Sequence, residues 1–374
     1  MHTKPLRFLW GAALTASLLA GCGDKTAPVG GQSITTPTAQ ASPPALPTIE
    51  PAESPTPTPT ATPAPTPIDY QTVQPYENGQ VMVLMYHGIV EEREAEAHYQ
   101  RTREEFRNDL QTLYDRGYRL LPLKDLLNNN ITTEAGYTPV VITFDDGIYS
   151  SFSLIEENGT FVPLPDSGLA IMMEFAAEYP DFGISATFFM NGDNNPFRGA
   201  GTVSERLQYL IDNNCDIGNH TYSHADLSTL DAAQIQEEIG RVDQMIRDAV
   251  PGYTPVALTY PLGKRPDDAL KPLVLDGVYD GQAYHYDFAL REGQSGASST
   301  PNHKTFDVLN LSRVRGGNGA DTDLWWMLDM FEEYPARRYI SDGNPHTIVV
   351  PRDYAANVNE DSLAGKELIY YDFE

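Results

Sequence analysis

The sequence predicts an α/β fold built on a parallel sheet or barrel, and three observations carry that reading. Short apolar runs alternate with segments of helical period along the chain. The first of these runs, "VMVLMYHG" (81–88), is apolar almost throughout, as a strand covered on both faces requires. Residues suited to chemistry also recur at the C-terminal ends of predicted strands: His87, Asp145 with Asp146, His220 and the segment "TYPLG". Functional side chains gather at that end of parallel α/β folds.

The elements follow in order. After the first strand, Thr102 is placed as N-cap and Glu105 at the third helical position, a capping box. Phe106, Leu110, Leu113 and Tyr114 form the helix's apolar face, and Gly117 suits the position just past its end. "YRLLPL" and "PVVITF" read as the second and third strands. The stretch 148–170 is irregular and reads as an insertion at the active-site face, a lid or substrate wall. "GLAIMMEFAAEYP" reads as a helix, "ISATFFM" as a strand, and "CDIGNH" as a strand running into a loop. Ile235, Ile239, Val242 and Ile246 set a long helix from Asp231 to Ala249, and "PVALTYP" is a further strand. Beyond residue 320, "DLWWMLDMFEEY" reads as an amphipathic helix and "HTIVVP" as a short strand. The Trp325–Trp326 pair there is read as packing, with a sugar-stacking platform as the alternative.

The N-terminus has a different character. Lys4 and Arg7 precede an apolar run from Phe8 to Ala20, too short for an ordinary membrane span and typical of a secretory signal. "Leu19-Ala20-Gly21-Cys22" resembles a bacterial lipobox, which implies lipid on Cys22 and an extracytoplasmic, membrane-anchored product. From Thr26 to Pro67 the chain turns to Pro, Thr, Ala and Ser and carries 12 of its 29 prolines, so no core forms there. An extended chain of about 40 residues reaches on the order of 100 Å at about 3 Å per residue, which makes it a stalk. If Cys22 carries lipid, Cys215 has no disulfide partner and is read as a small buried hydrophobe. With 52 acidic and 25 basic residues, the net charge of −27 argues against nucleic acid and anionic headgroups as partners.

The chemistry concentrates in two motifs. "TFDDG" (143–147) puts Asp145 and Asp146 at a strand end; alone, it is equally an Asx-type turn with Gly147 supplying positive φ. "HTYSH" supplies His220 and His224, two imidazoles four apart that reach one metal ion from a single turn. Together they suggest a metal site in which one aspartate ligates and its neighbour serves as base.

These motifs resemble those of the polysaccharide deacetylases, carbohydrate esterase family four, over roughly 81–318. The resemblance implies a distorted (β/α) barrel of about seven strands, with an insertion after the first motif and a C-terminal extension. It implies Asp145 as catalytic base and Asp146, His220 and His224 as ligands of one divalent ion, most simply zinc, with cobalt or nickel also suited. "Tyr260-Pro261-Leu262-Gly263" departs from the family's common third motif, which carries an arginine that orients the base. It is closer to the version in secreted poly-N-acetylglucosamine deacetylases, and implies substrate contacts at Tyr260 and an oxyanion donor at the Leu262 backbone. "Arg313-Val314-Arg315" resembles a segment of that subgroup, so Arg313 is the candidate replacement for the orienting arginine. The family's C-terminal histidine has no match; "VLMYHG" matches the subgroup's N-terminal strand and implies His87 as general acid. His285 and His303 are weaker candidates for that role.

The expected organisation is a signal peptide (1–21), lipidated Cys22 with a linker (22–68), a deacetylase domain (69–319) and a C-terminal extension (320–374) packed on it. The expected function is metal-dependent N-deacetylation of a cell-wall or extracellular N-acetylglucosamine polysaccharide by a monomer. The alternatives are an O-acetyl esterase on xylan or a similar glycan, and an inactive glycan-binding lipoprotein on the same scaffold.

Overall fold

The computed structural model describes residues 68–372, apart from 95–96, 294–295 and 320. The signal peptide, Cys22 and almost all of the linker lie outside the described residues. Eight parallel strands organise the domain: β1 (Gln80–Tyr86), β2 (Tyr118–Leu120), β3 (Thr138–Phe144), β4 (Thr187–Met190), β5 (Asp216–Asn219), β6 (Ala257–Thr259), β7 (Phe288–Glu292) and β8 (Leu311–Arg315). Seven of them close into a barrel in the order β1-β8-β7-β6-β5-β4-β3, with β3 pairing back onto β1. β2 lies outside the ring on β3, and Ser298–Ser299 runs antiparallel on β1. The fold is therefore the α/β barrel that the sequence predicts.

Local sequence explains the outer helices. α1 (Arg103–Asp115) has the complete Thr102/Glu105 capping box, and Gly117 takes φ 78° just past its end, a conformation glycine adopts without steric cost. α2 (Gly168–Glu178) is capped by Ser167, and α4 (Ala232–Ala249) by Asp231 with Gln234. α3 (Val203–Asp212), not anticipated from its periodicity, carries its own Thr202/Glu205 box. α5 (Leu324–Glu333) packs Met327, Leu328 and Phe331 against the main core. On β1, Met82, Leu84 and Tyr86 belong to the outer core, whereas Val81 and Val83 belong to a second cluster. This two-sided burial is why the strand reads as continuously apolar.

The stretch 148–170 is more ordered than its sequence suggests: Leu154–Glu157 and Thr160–Pro163 form an antiparallel hairpin. The residues 347–371 contain two parallel strands, Thr347–Pro351 and Glu367–Tyr371, which build a small separate core with Tyr76. That core sits at the barrel end where β1 begins, with Glu77 N–H donating to the Val349 carbonyl and Tyr371 Oη to the Pro75 carbonyl. Cys215 is buried and unpaired, and burial pushes its thiol up to about 12, so it behaves as a small apolar group.

Candidate active site

The C-terminal ends of β1, β3, β5, β6, β7 and β8 converge on a cleft of about 500 Å³. His87 follows β1, Asp145 and Asp146 follow β3, His220 follows β5, and Tyr260 follows β6. Arg313 lies within β8 and Glu292 ends β7. Eight residues named from the sequence, His87, Asp145, Asp146, His220, His224, Tyr260, Leu262 and Arg313, line this one cleft.

Asp146, His220 and His224 are the one group of three ligand-type side chains that converge among the described residues. Asp146 Oδ1 lies 3.3 Å from His220 Nε2 and 3.5 Å from His224 Nε2. Donors bonded to one tetrahedral ion at about 2.0–2.2 Å stand roughly 3.3–3.6 Å apart, so these spacings fit a shared ion. Asp146 Oδ1 is buried without a hydrogen-bond partner, which is costly unless a cation faces it. His220 is aimed from behind: its Nδ1 lies 3.1 Å from the Thr259 carbonyl and 2.6 Å from Thr259 Oγ1. Donation from Nδ1 to the carbonyl leaves the Nε2 lone pair free for a metal. Sequence reasoning passed over Thr259, although it opens the "TYPLG" segment.

Asp145 has a different environment. Arg313 grips it with two parallel hydrogen bonds, Nη1 to Oδ1 and Nη2 to Oδ2, both 2.7 Å, and both residues are at most 2% exposed. Arg313 Nη1 also donates to Thr143 Oγ1 at 3.1 Å. Burial alone would raise the Asp145 carboxyl; Arg313 and His220 overcome it and hold the group well below the usual carboxylate range. Asp145 is thus ionised and fixed in direction.

The backbone around the cleft is strained. Asp146, Thr221, His224 and Leu262 all have positive φ, at 72°, 63°, 55° and 58°. For a β-branched residue such as Thr221 this is a genuine outlier, and it is held by the Asn219 side chain, which accepts from the Thr221 N–H at 2.8 Å. Such conformations persist only where surrounding structure enforces them, and they cluster at functional sites.

The remaining residues sort cleanly. Leu262 is 64% exposed at the rim. Tyr260 reaches the cleft, but its ring is buried in a core cluster with its hydroxyl donating to the Leu309 carbonyl, so its side chain is not available to a sugar. His87 Nε2 faces Asp146 Oδ2 at 3.9 Å, while His87 Nδ1 is buried without a partner. Burial pushes the His87 imidazole down, against the pull of Asp145 and Asp146. His285 bonds to Asp276 and Asp287 on an exposed hairpin, and His303 is held by Thr305; neither lines the cleft. Trp325 donates to buried Asp109 at 2.9 Å, and neither tryptophan of the pair lines the cleft. From the 148–170 insertion, Ile148, Tyr149 and Ser150 do. Tyr99 and Glu292, which no motif flagged, complete the wall beside His87.

Part of the chain is similar to known proteins. Residues 133–278 match the family model for polysaccharide deacetylase, a shorter stretch than the 81–318 over which the motifs suggest resemblance. A probable peptidoglycan-N-acetylglucosamine deacetylase of Arthroderma benhamiae is 31% identical over 141 residues, which is 38% of this chain and 26% of that protein. A chitin deacetylase of a Pestalotiopsis species is 36% identical over 87 residues, 22% of this chain and 24% of the relative. The matches thus span about a quarter of those relatives' length. Among solved structures, a putative polysaccharide deacetylase from Bacillus anthracis has a TM-score of 0.48 at 20% identity, covering 67% of this chain and 68% of its own. The stretch that matches the polysaccharide deacetylase model supplies Asp145, Asp146, His220, His224 and Leu262.

Proposed function

We infer that this chain is a metal-dependent hydrolase that removes N-acetyl groups from an N-acetylglucosamine-containing wall or extracellular polysaccharide. The observation that carries this is the pairing of two unlike aspartates: Asp146 among metal-ligand donors, and Asp145 ionised and clamped by Arg313 beside them. A glycan-binding protein without catalysis has no use for a buried base with its own orienting cation.

Asp146, His220 and His224 would hold the ion, with zinc favoured by the two-imidazole, one-carboxylate set. When bound, a divalent ion polarises the acetyl carbonyl and lowers the pKa of water. Asp145 takes the proton from the attacking water, and Arg313 keeps its carboxylate pointed at that water. The Leu262 backbone N–H, presented by a left-handed turn, donates to the developing oxyanion. His87 Nε2 gives a proton to the departing amine, releasing acetate and a free amino sugar. Because burial lowers its pKa, protonated His87 is a stronger acid than free imidazole.

Acetate release tests this directly, on chitin oligomers, peptidoglycan, poly-N-acetylglucosamine and acetyl-xylan, with and without a chelator. Chelator-sensitive release from any of the three N-acetylated glycans is expected. Release from acetyl-xylan alone would replace this reading with an O-acetyl esterase, and no release with metal bound would leave a binding protein. We further propose an extracytoplasmic location with a lipid on Cys22, supported by the "LAGC" sequence and the Pro-rich stretch after it. Metabolic palmitate labelling that Cys22→Ser leaves undiminished would refute it.

A further inference from the structure

His87 poses a problem for the proposed reaction. Its Nδ1 is buried and hydrogen-bonded to nothing, so no polar contact on that side fixes the direction of the ring. A proton donor that swings through even an ångström loses alignment with its acceptor. What does contact the ring is Tyr99, with ring centroids 4.9 Å apart at 51°.

Tyr99 is itself held. Its hydroxyl donates to Glu292 Oε2 at 2.8 Å, across 193 positions of sequence. The Arg315 guanidinium lies 5.5 Å from the Tyr99 ring centroid, within cation–π range. Arg315 is in turn tied to Asp323 at 3.0 Å and approaches Glu292 at 3.9 Å. Glu292 and Arg315 are the last residues of β7 and β8, so the rigid barrel supplies both supports. A half-exposed loop tyrosine is thereby clamped against the imidazole from the barrel rim.

We propose that Tyr99 is a positioning residue for His87, and that Glu292 acts through Tyr99. The aromatic face replaces the hydrogen bond that His87 Nδ1 lacks, and the Tyr99–Glu292 bond latches the loop bearing Tyr99 over the cleft. This rests on the reading of His87 as proton donor and extends it to residues outside every motif.

Two measurements on the full, zinc-loaded chain test it. In steady-state acetate release, Tyr99→Ala is expected to lower kcat by about 10²-fold with KM changed by less than about threefold. Tyr99→Phe, which keeps the ring and loses the latch, falls between it and the native chain. Glu292→Ala lowers kcat about tenfold, and Glu292→Gln, whose amide oxygen still accepts from Tyr99, recovers most of the loss. The second readout is carbethoxylation of His87, followed by peptide mass spectrometry. It is expected to run several-fold faster in Tyr99→Ala, where the ring loses its cover. A KM increase with kcat intact would make Tyr99 a sugar-contacting wall and overturn the proposal. Unchanged labelling of His87 would overturn it equally. Labelling requires no turnover, so this role is tested even if no glycan is deacetylated.

Discussion

Arg313 and Asp145 lie 168 positions apart in the chain and meet in a buried, two-pronged ion pair with both N–O distances at 2.7 Å. Arg313 comes from β8, two strands beyond the "TYPLG" segment in the chain, and both of its terminal nitrogens donate to the Asp145 carboxylate. Removing one partner of such a pair strands the other charge in the interior, a penalty of about 3–5 kcal/mol.

That penalty makes a double-variant cycle informative. Arg313→Ala and Asp145→Asn are each expected to destabilise the fold by amounts of that order, measured by denaturant unfolding. The combined variant should be more stable than the sum of the two losses allows. Activity should be absent in all three by at least about 10²-fold, the usual contribution of a general base. Additive stability losses would show that the pair is not coupled.

Metal binding should separate from catalysis. Asp145→Asn is expected to retain close to one zinc per chain after dialysis while turnover is lost. His220→Ala loses both. Thr259→Val removes the hydroxyl 2.6 Å from His220 Nδ1 and should weaken zinc affinity about 10-fold or more without abolishing it. Competition with a chromophoric chelator measures all three, and a native affinity in Thr259→Val would argue that the carbonyl alone orients the ring.

Leu262 is proposed to act through its backbone. Leu262→Gly keeps the N–H and relieves the left-handed strain at φ 58°, so kcat should stay within about threefold of native. Loss of the exposed side chain is expected to appear in KM. A collapse of kcat in this variant would place the important contact in the side chain instead.

The pH dependence of stability should carry the mark of Glu77. Its carboxyl is buried at the barrel end away from the cleft, and burial, with Asp342 nearby, pushes it up to about 8 from a usual value of 4.5. Hydrogen bonds from Val349 N–H, Asp342 N–H and Tyr339 Oη oppose that shift without cancelling it. The unfolded chain therefore gives up this proton near pH 4.5, whereas the folded chain retains it to about 8. This contribution is full below pH 4.5 and is lost as pH rises toward 8. Melting temperatures taken from pH 5 to 8.5 should fall less steeply in Glu77→Gln than in the native chain; identical slopes would count against the assignment.

The tryptophan pair gives a negative control. Trp325→Phe removes the hydrogen bond to Asp109 and is expected to reduce stability by about 1 kcal/mol with no change in KM for glycan. A raised KM would revive the platform reading.

How much of this was legible in the sequence depends on the range of the forces involved. Caps and helical periodicity are local, so Thr102 with Glu105 announces α1, and the spacing of Ile235, Ile239, Val242 and Ile246 announces α4. The strands β1 and β3 are apolar on both faces and read equally well. β7 and β8 do not, because "FALRE" and "LSRVR" put charged residues inside five-residue strands, and a buried arginine looks like a surface one until its carboxylate is found. The hairpin at 154–163 is short and largely exposed, which removes the apolar signal that would mark it. Within the site, Asp145, Asp146, His220 and His224 are visible through spacing. Tyr99 and Glu292 are visible only once the barrel closes, since nothing nearby in sequence marks either.

The small core shared by Tyr76 with Ile348 and Val350 has an engineering consequence. It gathers the first and last described segments at the end of the barrel remote from the cleft, with Gln71 Nε2 donating to the Asp372 carbonyl. Attachment to a bead, a sensor chip or a fusion partner through either segment should therefore leave the mouth of the cleft facing open solvent. A polymer too large to diffuse into a matrix can then still be presented to the immobilised protein.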